Sequence, residues 1–128
     1  LAVGAVGEDS NQTTITNGTS ASSVNSSPDS GAAYVYKRSG NDWVQEAYIK
    51  PANNDEENQF GISVSISGET IAVGAIKEDS NATSITNGTS ASSDDSIVES
   101  GAVYVYKRSG STWSQEAYIK ASNNSENS

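Results

Sequence analysis

The chain has 128 residues, of which 34% are apolar, and its 16 Asp and Glu outnumber its seven Lys and Arg to give a net charge of −9. Because the few basic residues are scattered, the chain has no basic face to neutralise phosphate, which argues against nucleic acid and anionic membranes as partners. The absence of Cys, His and Met excludes disulfides, thiol chemistry, an imidazole general base and soft metal sites.

The chain repeats itself with a period of 70 residues. When residues 1–58 are set against 71–128, 39 of the 58 pairs are identical. Such a period is typical of stacked supersecondary units that bury their apolar faces against one another. We therefore divide the chain into a partial repeat, 1–58, and a complete repeat, 59–128, and expect it to be an excerpt of a longer array. No signal peptide or membrane-spanning apolar run is present, so we expect no direct membrane insertion.

The partial repeat predicts three strands and one long loop. The first strand lies at Leu1 to Ala5, and the other two are copies of the last two strands of the complete repeat. The loop, 6–30, consists mainly of Ser, Thr, Asn, Asp and Gly, and its residues 16–23 recur unchanged in the second copy. Loops of this length are usually functional or disordered. We favour an ordered loop that projects from the sheet, over an inert low-complexity spacer.

The complete repeat predicts four antiparallel strands, at 60–67, 70–75, 102–108 and 113–120, with the second long loop at 76–100. Apolar residues from Phe60 to Ile66 alternate with Gly and Ser, the period of a half-buried strand. The run Val103-Tyr104-Val105-Tyr106 has the composition of a strand buried on both faces. Polar connectors follow each repeat, at 53–58 and 123–128. Since no segment keeps a helical period, the predicted fold class is all-β.

An ordered set of short motifs runs through the complete repeat and, in part, through its copy. Phe60-Gly61 is followed by Ile71-Ala72-Val73-Gly74-Ala75, a polar loop, and Gly101-Ala102-Val103-Tyr104-Val105-Tyr106. This set resembles the FG-GAP repeat of integrin α-chain heads and large bacterial surface proteins, and Glu78-Asp79-Ser80-Asn81 is similar to its bacterial branch. The resemblance implies four-stranded antiparallel blades of about 70 residues that stack as in a β-propeller, on an extracellular or cell-surface protein without enzymatic activity.

The chain departs from the FG-GAP pattern at two places. The Pro of Gly-Ala-Pro is replaced by Val6 and Ile76, and Ser67-Gly68-Glu69-Thr70 stands where family members with a calcium loop carry it. The resemblance therefore does not imply a calcium site.

The acidic pairs that occur in both copies are candidate ligands for a hard cation, for which we consider calcium. They are Glu8, Asp9, Glu78 and Asp79. Calcium takes six to eight oxygens, which neighbouring Asn side chains and loop carbonyls could complete. The alternative is a solvated acidic turn, because adjacent residues of an extended chain point apart.

Two further groups of residues are candidates for contact with sugars. Six Asn-x-Ser/Thr sequons offer sites for N-linked glycans: Asn11, Asn17, Asn25, Asn81, Asn87 and Asn123. Six aromatic residues could stack on sugar rings or pack between sheets, of which packing is the more common role: Tyr36, Trp43, Tyr48, Tyr106, Trp113 and Tyr118. We expect the two tryptophans to clamp adjacent blades.

These observations favour a non-enzymatic extracellular scaffold for binding or adhesion, whose long loops serve as a recognition or glycan-bearing surface. One alternative is a structural subunit of a surface fibre or filament built by stacking repeats. Another is an accessory propeller of a larger secreted enzyme whose active site lies outside this chain. The expected partners are neighbouring repeats of the array or other copies of the chain, and glycans or a cell-surface protein.

Overall fold

The computed structural model describes residues 1–127, which form two antiparallel β-sheets. The first sheet has the order β1-β3-β4-β2 and consists of β1 (Ala2–Ala5), β2 (Ile15–Asn17), β3 (Ala32–Ser39) and β4 (Asp42–Ile49). The second has the order β5-β6-β8-β9-β7 and consists of β5 (Phe60–Ser67), β6 (Thr70–Ala75), β7 (Ile85–Asn87), β8 (Ala102–Ser109) and β9 (Thr112–Ile119). Ser128, the last residue of the predicted complete repeat, lies outside the described residues.

The all-β prediction is confirmed, since residues 1–127 contain no helix, and hence none long and apolar enough to cross a membrane. The predicted strands 60–67 and 70–75 have the observed bounds, 102–108 is one residue shorter than β8, and 113–120 is displaced by one residue from β9. The hairpin between β5 and β6 pairs Ser67 with Thr70, and Gly68 between them has a positive φ of 57°. The turn residues thus end the strands where the sequence indicates.

The prediction of three strands in the first repeat and four in the second is wrong, because each long loop contributes one more. The short strands β2 and β7, both Ile-Thr-Asn, pair with the outer edges of β4 and β9, with Thr16 opposite Tyr48 and Thr86 opposite Tyr118. Three residues are too few to show an alternating pattern. Their pairing depends on the unpaired backbone groups at the edge of the sheet, which only the folded chain presents.

The two sheets pack face to face through faces of different composition. We call the side of each sheet that carries most of its tyrosines the aromatic face, and the opposite side the aliphatic face. The core joins the aliphatic face of the first sheet, formed by Ala33, Val35, Ala47 and Ile49, to the aromatic face of the second, formed by Tyr104, Tyr106, Trp113 and Tyr118. The core therefore lies between the repeats, as burial shared between stacked units requires.

The sheets approach one another most closely where the N-terminal end of β5 crosses the first sheet. The amide of Phe60 donates to the carbonyl of Ser30 at 3.1 Å, and its ring packs edge-on against Tyr104 with centroids 5.2 Å apart. A Cβ at Gly4 would overlap the carbonyl oxygen of Gly61. The Phe-Gly and Gly-Ala motifs are therefore the points of inter-sheet backbone contact.

The expectation that residues 103–106 are buried on both faces is wrong. Tyr104 and Tyr106 are buried beneath the first sheet, but Val103 is 40% exposed on the opposite face. The physical reason is that the described residues place nothing over the aliphatic face of the second sheet.

Candidate functional site

The long loops, the part of the chain with most polar chemistry, are attached to the sheets through buried ion pairs. In the first repeat the ammonium of Lys50, whose side chain is fully buried, lies 2.7 Å from the carboxylate of Glu8. It also donates to the Ser30 hydroxyl at 2.9 Å and to the Gly31 carbonyl at 2.6 Å. The Tyr48 hydroxyl donates to the other oxygen of Glu8 at 2.8 Å. Both ends of the loop are thereby joined to β4.

The second repeat reproduces this arrangement. Lys120 lies 2.5 Å from Glu78 and donates to the Ser100 hydroxyl at 2.7 Å, while the Tyr118 hydroxyl donates to Glu78 at 2.7 Å. Asn53, in the connector between the repeats, adds a 3.1 Å hydrogen bond to Glu78. We call each set a loop anchor: Glu8, Ser30, Tyr48 and Lys50 in the first repeat, and Glu78, Ser100, Tyr118 and Lys120 in the second.

The electrostatics of the anchors indicate a structural role. Burial raises the pKa of the Tyr48 and Tyr118 hydroxyls, so both stay protonated donors at neutral pH. Burial lowers the pKa of Lys50, and the neighbouring Glu8 opposes this effect. All three donors of the Lys50 ammonium are used within the protein. No donor is left to bind or activate a substrate.

The four predicted calcium ligands do not converge on one point. The two glutamates face the sheet within the anchors, whereas each aspartate accepts a hydrogen bond from the returning end of its loop. Asp9 accepts from the amide of Asp29 at 2.9 Å, and Asp79 accepts from the amide of Glu99 at 2.6 Å. Within residues 1–127 no group of three or more acidic side chains has the arrangement of a metal site. Calcium binding by these residues stays a prediction.

The middle of each loop lies along the sheet edge and does not project from it, contrary to expectation. After β2, the Gln45 side chain donates to the carbonyls of Gly18 at 3.1 Å and Ser20 at 2.9 Å. After β7, Gln115 does the same for Gly88 at 3.1 Å and Ser90 at 2.8 Å. The backbone of a polar loop needs hydrogen-bond partners, and the neighbouring strand supplies them. The loops are therefore ordered on this edge.

The loops differ where their sequences diverge. In the second loop Asp94 accepts hydrogen bonds from the amide of Asn81 at 3.1 Å and from the hydroxyl of Ser96 at 2.6 Å. The bonds from Ser96 lower the pKa of Asp94, which keeps the carboxylate ionised. The first repeat has Val24 at this position. Asp94 therefore organises the second loop only.

All six sequon asparagines are exposed. Asn17 also has a structural contact, because its side-chain oxygen accepts a hydrogen bond from the amide of Trp113 at 2.8 Å. Its counterpart Asn87 has no corresponding partner within the described part of the chain. Glycosylation of the six sites stays a prediction, for which exposure is a requirement.

The aromatic residues of the two repeats differ in how far they are buried. Trp113 is 3% exposed and donates from Nε1 to Glu46 of the first sheet at 3.0 Å, while Tyr106 and Tyr118 are buried. The expectation that both tryptophans pack between neighbouring sheets is thus confirmed for Trp113 but not, among the described residues, for Trp43. Trp43 is 58% exposed on the aromatic face of the first sheet. Both tryptophans lie between a Ser-Gly turn and the segment Gln-Glu-Ala-Tyr-Ile-Lys, and the neighbouring sheet accounts for the difference in their burial.

Sequence reasoning missed the ion pairs that involve buried side chains. Lys50, Lys120 and Glu46 were not predicted, because charged side chains normally reach solvent. The available signal was the segment Gln-Glu-Ala-Tyr-Ile-Lys, which is unchanged in both copies. Arg108 pairs with Glu46, a contact 62 residues apart in the chain that no local pattern indicates.

The described surface groove that is richest in carboxylates is small and open to solvent. Its volume is about 120 Å³, and its lining includes Glu56, Glu57, Asp79 and Glu99. Glu99 faces Lys77 at 3.8 Å, and Asp79 is occupied by the loop backbone. The groove contributes negative charge, but it lacks a nucleophile positioned beside a base.

Comparison with protein-family profiles matches residues 43–90 to the FG-GAP repeat. The matched segment begins at the N-terminal part of β4, crosses the connector, includes β5 and β6, and ends in the second long loop. It thus contains the Phe60-Gly61 crossing and the Glu78-Asp79 pair. Comparison with curated proteins and with solved structures gives no match.

Proposed function

Because the chain belongs to the FG-GAP repeat family, we propose that it is a non-enzymatic extracellular scaffold for binding or adhesion. FG-GAP repeats are generally non-catalytic scaffolds and are typical of extracellular or surface proteins. Each 70-residue repeat supplies one blade that stacks on the next as in a β-propeller, and the long loops form a recognition surface along the outer blade edge.

The observation that carries this proposal is the pair of loop anchors. Long polar loops lose much conformational entropy when they bind, and a loop that is already ordered loses less. The anchors hold both ends of each loop, and the Gln45 and Gln115 side chains hold the middle. Rigid elements that support exposed loops are the usual arrangement for recognition. The anchors thus favour binding over an inert spacer.

The exposed side of the loops suits a polar ligand. Thr83, Thr89 and Ser93 of the second loop are exposed, as are their counterparts in the first. Hydroxyls and amides of this kind bond to the hydroxyls of a glycan or to the polar surface of a cell-surface protein. If the loops themselves carry sugar, the same positions present it outward.

A binding experiment with a matched control tests the proposal. The chain is assayed on a glycan array and on fixed cells, beside a variant in which Thr83, Thr89 and Ser93 are replaced by Ala. The control replaces Ser111 and Thr112, exposed residues of the β8–β9 hairpin, by Ala. We expect the loop variant alone to lose binding. Equal binding by both variants, or no binding by a protein with a native circular dichroism spectrum, would contradict the proposal.

A structural role in a surface fibre is the second candidate. One observation favours this role. The outer faces of the two sheets have the same composition as the two inner faces, which pack together inside the chain.

A further inference from the structure

We propose that the chain associates head to tail with a second copy of itself. In this contact the aromatic face of the first sheet of one copy lies on the aliphatic face of the second sheet of another. The inference uses the sheet faces and is independent of ligand binding by the loops, so either can fail without the other.

The contact between the sheets within the chain is the template for this association. The Glu46 carboxylate, 5% exposed, accepts hydrogen bonds from the Arg108 guanidinium and from Trp113 Nε1, the latter at 3.0 Å. The Asn17 side chain accepts from the amide of Trp113 at 2.8 Å. Four groups therefore specify how the second sheet lies on the first: the carboxylate of Glu46, the side-chain amide of Asn17, the guanidinium of Arg108 and the indole of Trp113.

All four groups recur at equivalent positions on the two outer faces. Glu116 and Asn87 take the positions of Glu46 and Asn17 on the aliphatic side of the second sheet. Arg38 and Trp43 take those of Arg108 and Trp113 on the aromatic side of the first. All four are exposed, and neither Glu116 nor Arg38 forms an ion pair within residues 1–127. The donors and acceptors of the internal contact are thus repeated at both ends.

The apolar side chains of the two outer faces also correspond to those of the internal contact. Ala33 is fully buried in the internal contact, whereas its counterpart Val103 is 40% exposed. Val103 and Ile119 line a groove of about 390 Å³ on the outer aliphatic face. Trp43 is 58% exposed at the opposite end, against 3% for Trp113. If a second copy docks, Val103 and Trp43 are covered by the same residue types that cover their counterparts Ala33 and Trp113 inside the chain.

The symmetry of this contact determines the kind of assembly. The two faces differ, so each added copy again exposes one aromatic and one aliphatic face. A heterologous contact of this type continues as a filament unless its rotation closes a ring. A second copy is the expected partner because the two outer faces are complementary to each other. Their charges and side-chain shapes correspond to those of the two faces that pack together inside the chain.

The first measurement is the molar mass of the chain by sedimentation across a wide range of concentration. We expect the mass to rise with concentration in multiples of the 13.3 kDa chain. Replacement of Trp43 by Ala should weaken association by about 30-fold or more, as removal of a buried hot-spot tryptophan does. Glu56→Arg on an exposed connector residue is the control for surface charge, equal in size to the Glu116→Arg change, and should leave association unchanged.

A charge exchange tests the orientation. Glu116→Arg and Arg38→Glu should each abolish association, because like charges then meet across the contact. An equimolar mixture of the two variants should restore it, and so should both changes in one chain. Native circular dichroism spectra would show that these exposed positions tolerate the changes.

Two results would overturn the proposal. One is a chain that stays monomeric at every concentration while natively folded. The other is association that neither single charge variant reduces, or that the mixture does not restore, since either would place the contact on another surface.

Discussion

At the scale of single residues, buried polar groups connect the loops to the sheets. Lys120 and Glu78 are 0% and 1% exposed, so their charges interact with little screening by solvent. A buried ion pair adds little to stability beyond what apolar residues would supply, but the loss of one partner leaves an unpaired buried charge. The anchors therefore make the folding of each loop depend on its own sheet.

Replacement of Lys120 by Met should lower the free energy of unfolding by about 3–5 kcal/mol, the usual cost of a buried charge without its partner. Lys107→Met is the matched control, because Lys107 is exposed and has no ion pair in the described part of the chain; its effect should stay within about 0.5 kcal/mol. Denaturant unfolding at fixed protein concentration measures both. A loss below about 1 kcal/mol for Lys120→Met would contradict a structural role for the anchor.

Two buried tyrosines should respond differently to replacement by Phe. The Tyr118 hydroxyl donates to Glu78, so Tyr118→Phe should cost about 1.5–3 kcal/mol, as for a hydrogen bond to a charged group. The Tyr106 hydroxyl is buried without a hydrogen-bond partner in residues 1–127, so Tyr106→Phe should be neutral or stabilising. Thermal unfolding of the two variants compares them directly. Equal losses would show that the Tyr106 hydroxyl is bound.

At the scale of elements, the crossing of β5 over the first sheet connects the two repeats. Gly4 and Gly61 allow the two backbones to touch, and Phe60 fills the space between the sheets. The same position in the second sheet, Gly74, has only side-chain atoms near the place where a Cβ would stand, and the closest is the Ser63 hydroxyl at 2.5 Å. A serine side chain can rotate away, whereas a carbonyl in a strand cannot.

Gly4→Ala should therefore destabilise the chain by about 1–3 kcal/mol or more, the cost of overpacking. Gly74→Ala, the same change at the equivalent position, should cost less because only a side chain has to move. Urea unfolding of both variants supplies the comparison. A larger loss for Gly74→Ala would mean that the crossing is looser than described.

The strands that belong to hairpins could be predicted from sequence, and those within the loops could not. The β5–β6 and β8–β9 pairs have alternating side chains and a Gly in each turn, which are local signals. β2 and β7 have three residues each and form because Gln45, Gln115 and the edges of β4 and β9 supply partners. The anchors likewise join residues about 40 apart, Glu8 to Lys50 and Glu78 to Lys120. A contact of that separation leaves no trace in a local pattern.

At the scale of the whole molecule, four tyrosines are buried in the folded chain and stay protonated there. Burial raises the pKa of Tyr48, Tyr104, Tyr106 and Tyr118 above 10.0. The folded chain thus keeps phenolic protons that the unfolded chain releases above about pH 10, so the stabilisation is present below that pH and is lost as pH rises. Lys50 has the opposite effect. Burial lowers the pKa of its ammonium in the folded chain, so the unfolded chain binds more protons and the contribution of Lys50 to stability rises with pH up to 10.5.

We expect four tyrosines to outweigh one lysine, so that the chain unfolds in alkali. Each tyrosine contributes up to about 1.4 kcal/mol per pH unit above its unfolded pKa. Tyrosinate absorbance and circular dichroism, recorded together between about pH 9 and 12, should change in one common step. Ionisation of all six tyrosines in a chain that keeps its native dichroism would contradict this prediction.

The sequence by itself determined the repeat, the all-β class and the position of the long strands, because a period of 70 residues and alternation of side chains are properties of the chain alone. Only the tertiary structure decided which copy of each residue is buried. Trp43 and Trp113 belong to the same motif, yet one is 58% and the other 3% exposed. The physical reason is that one sheet covers Trp113 and none among the described residues covers Trp43.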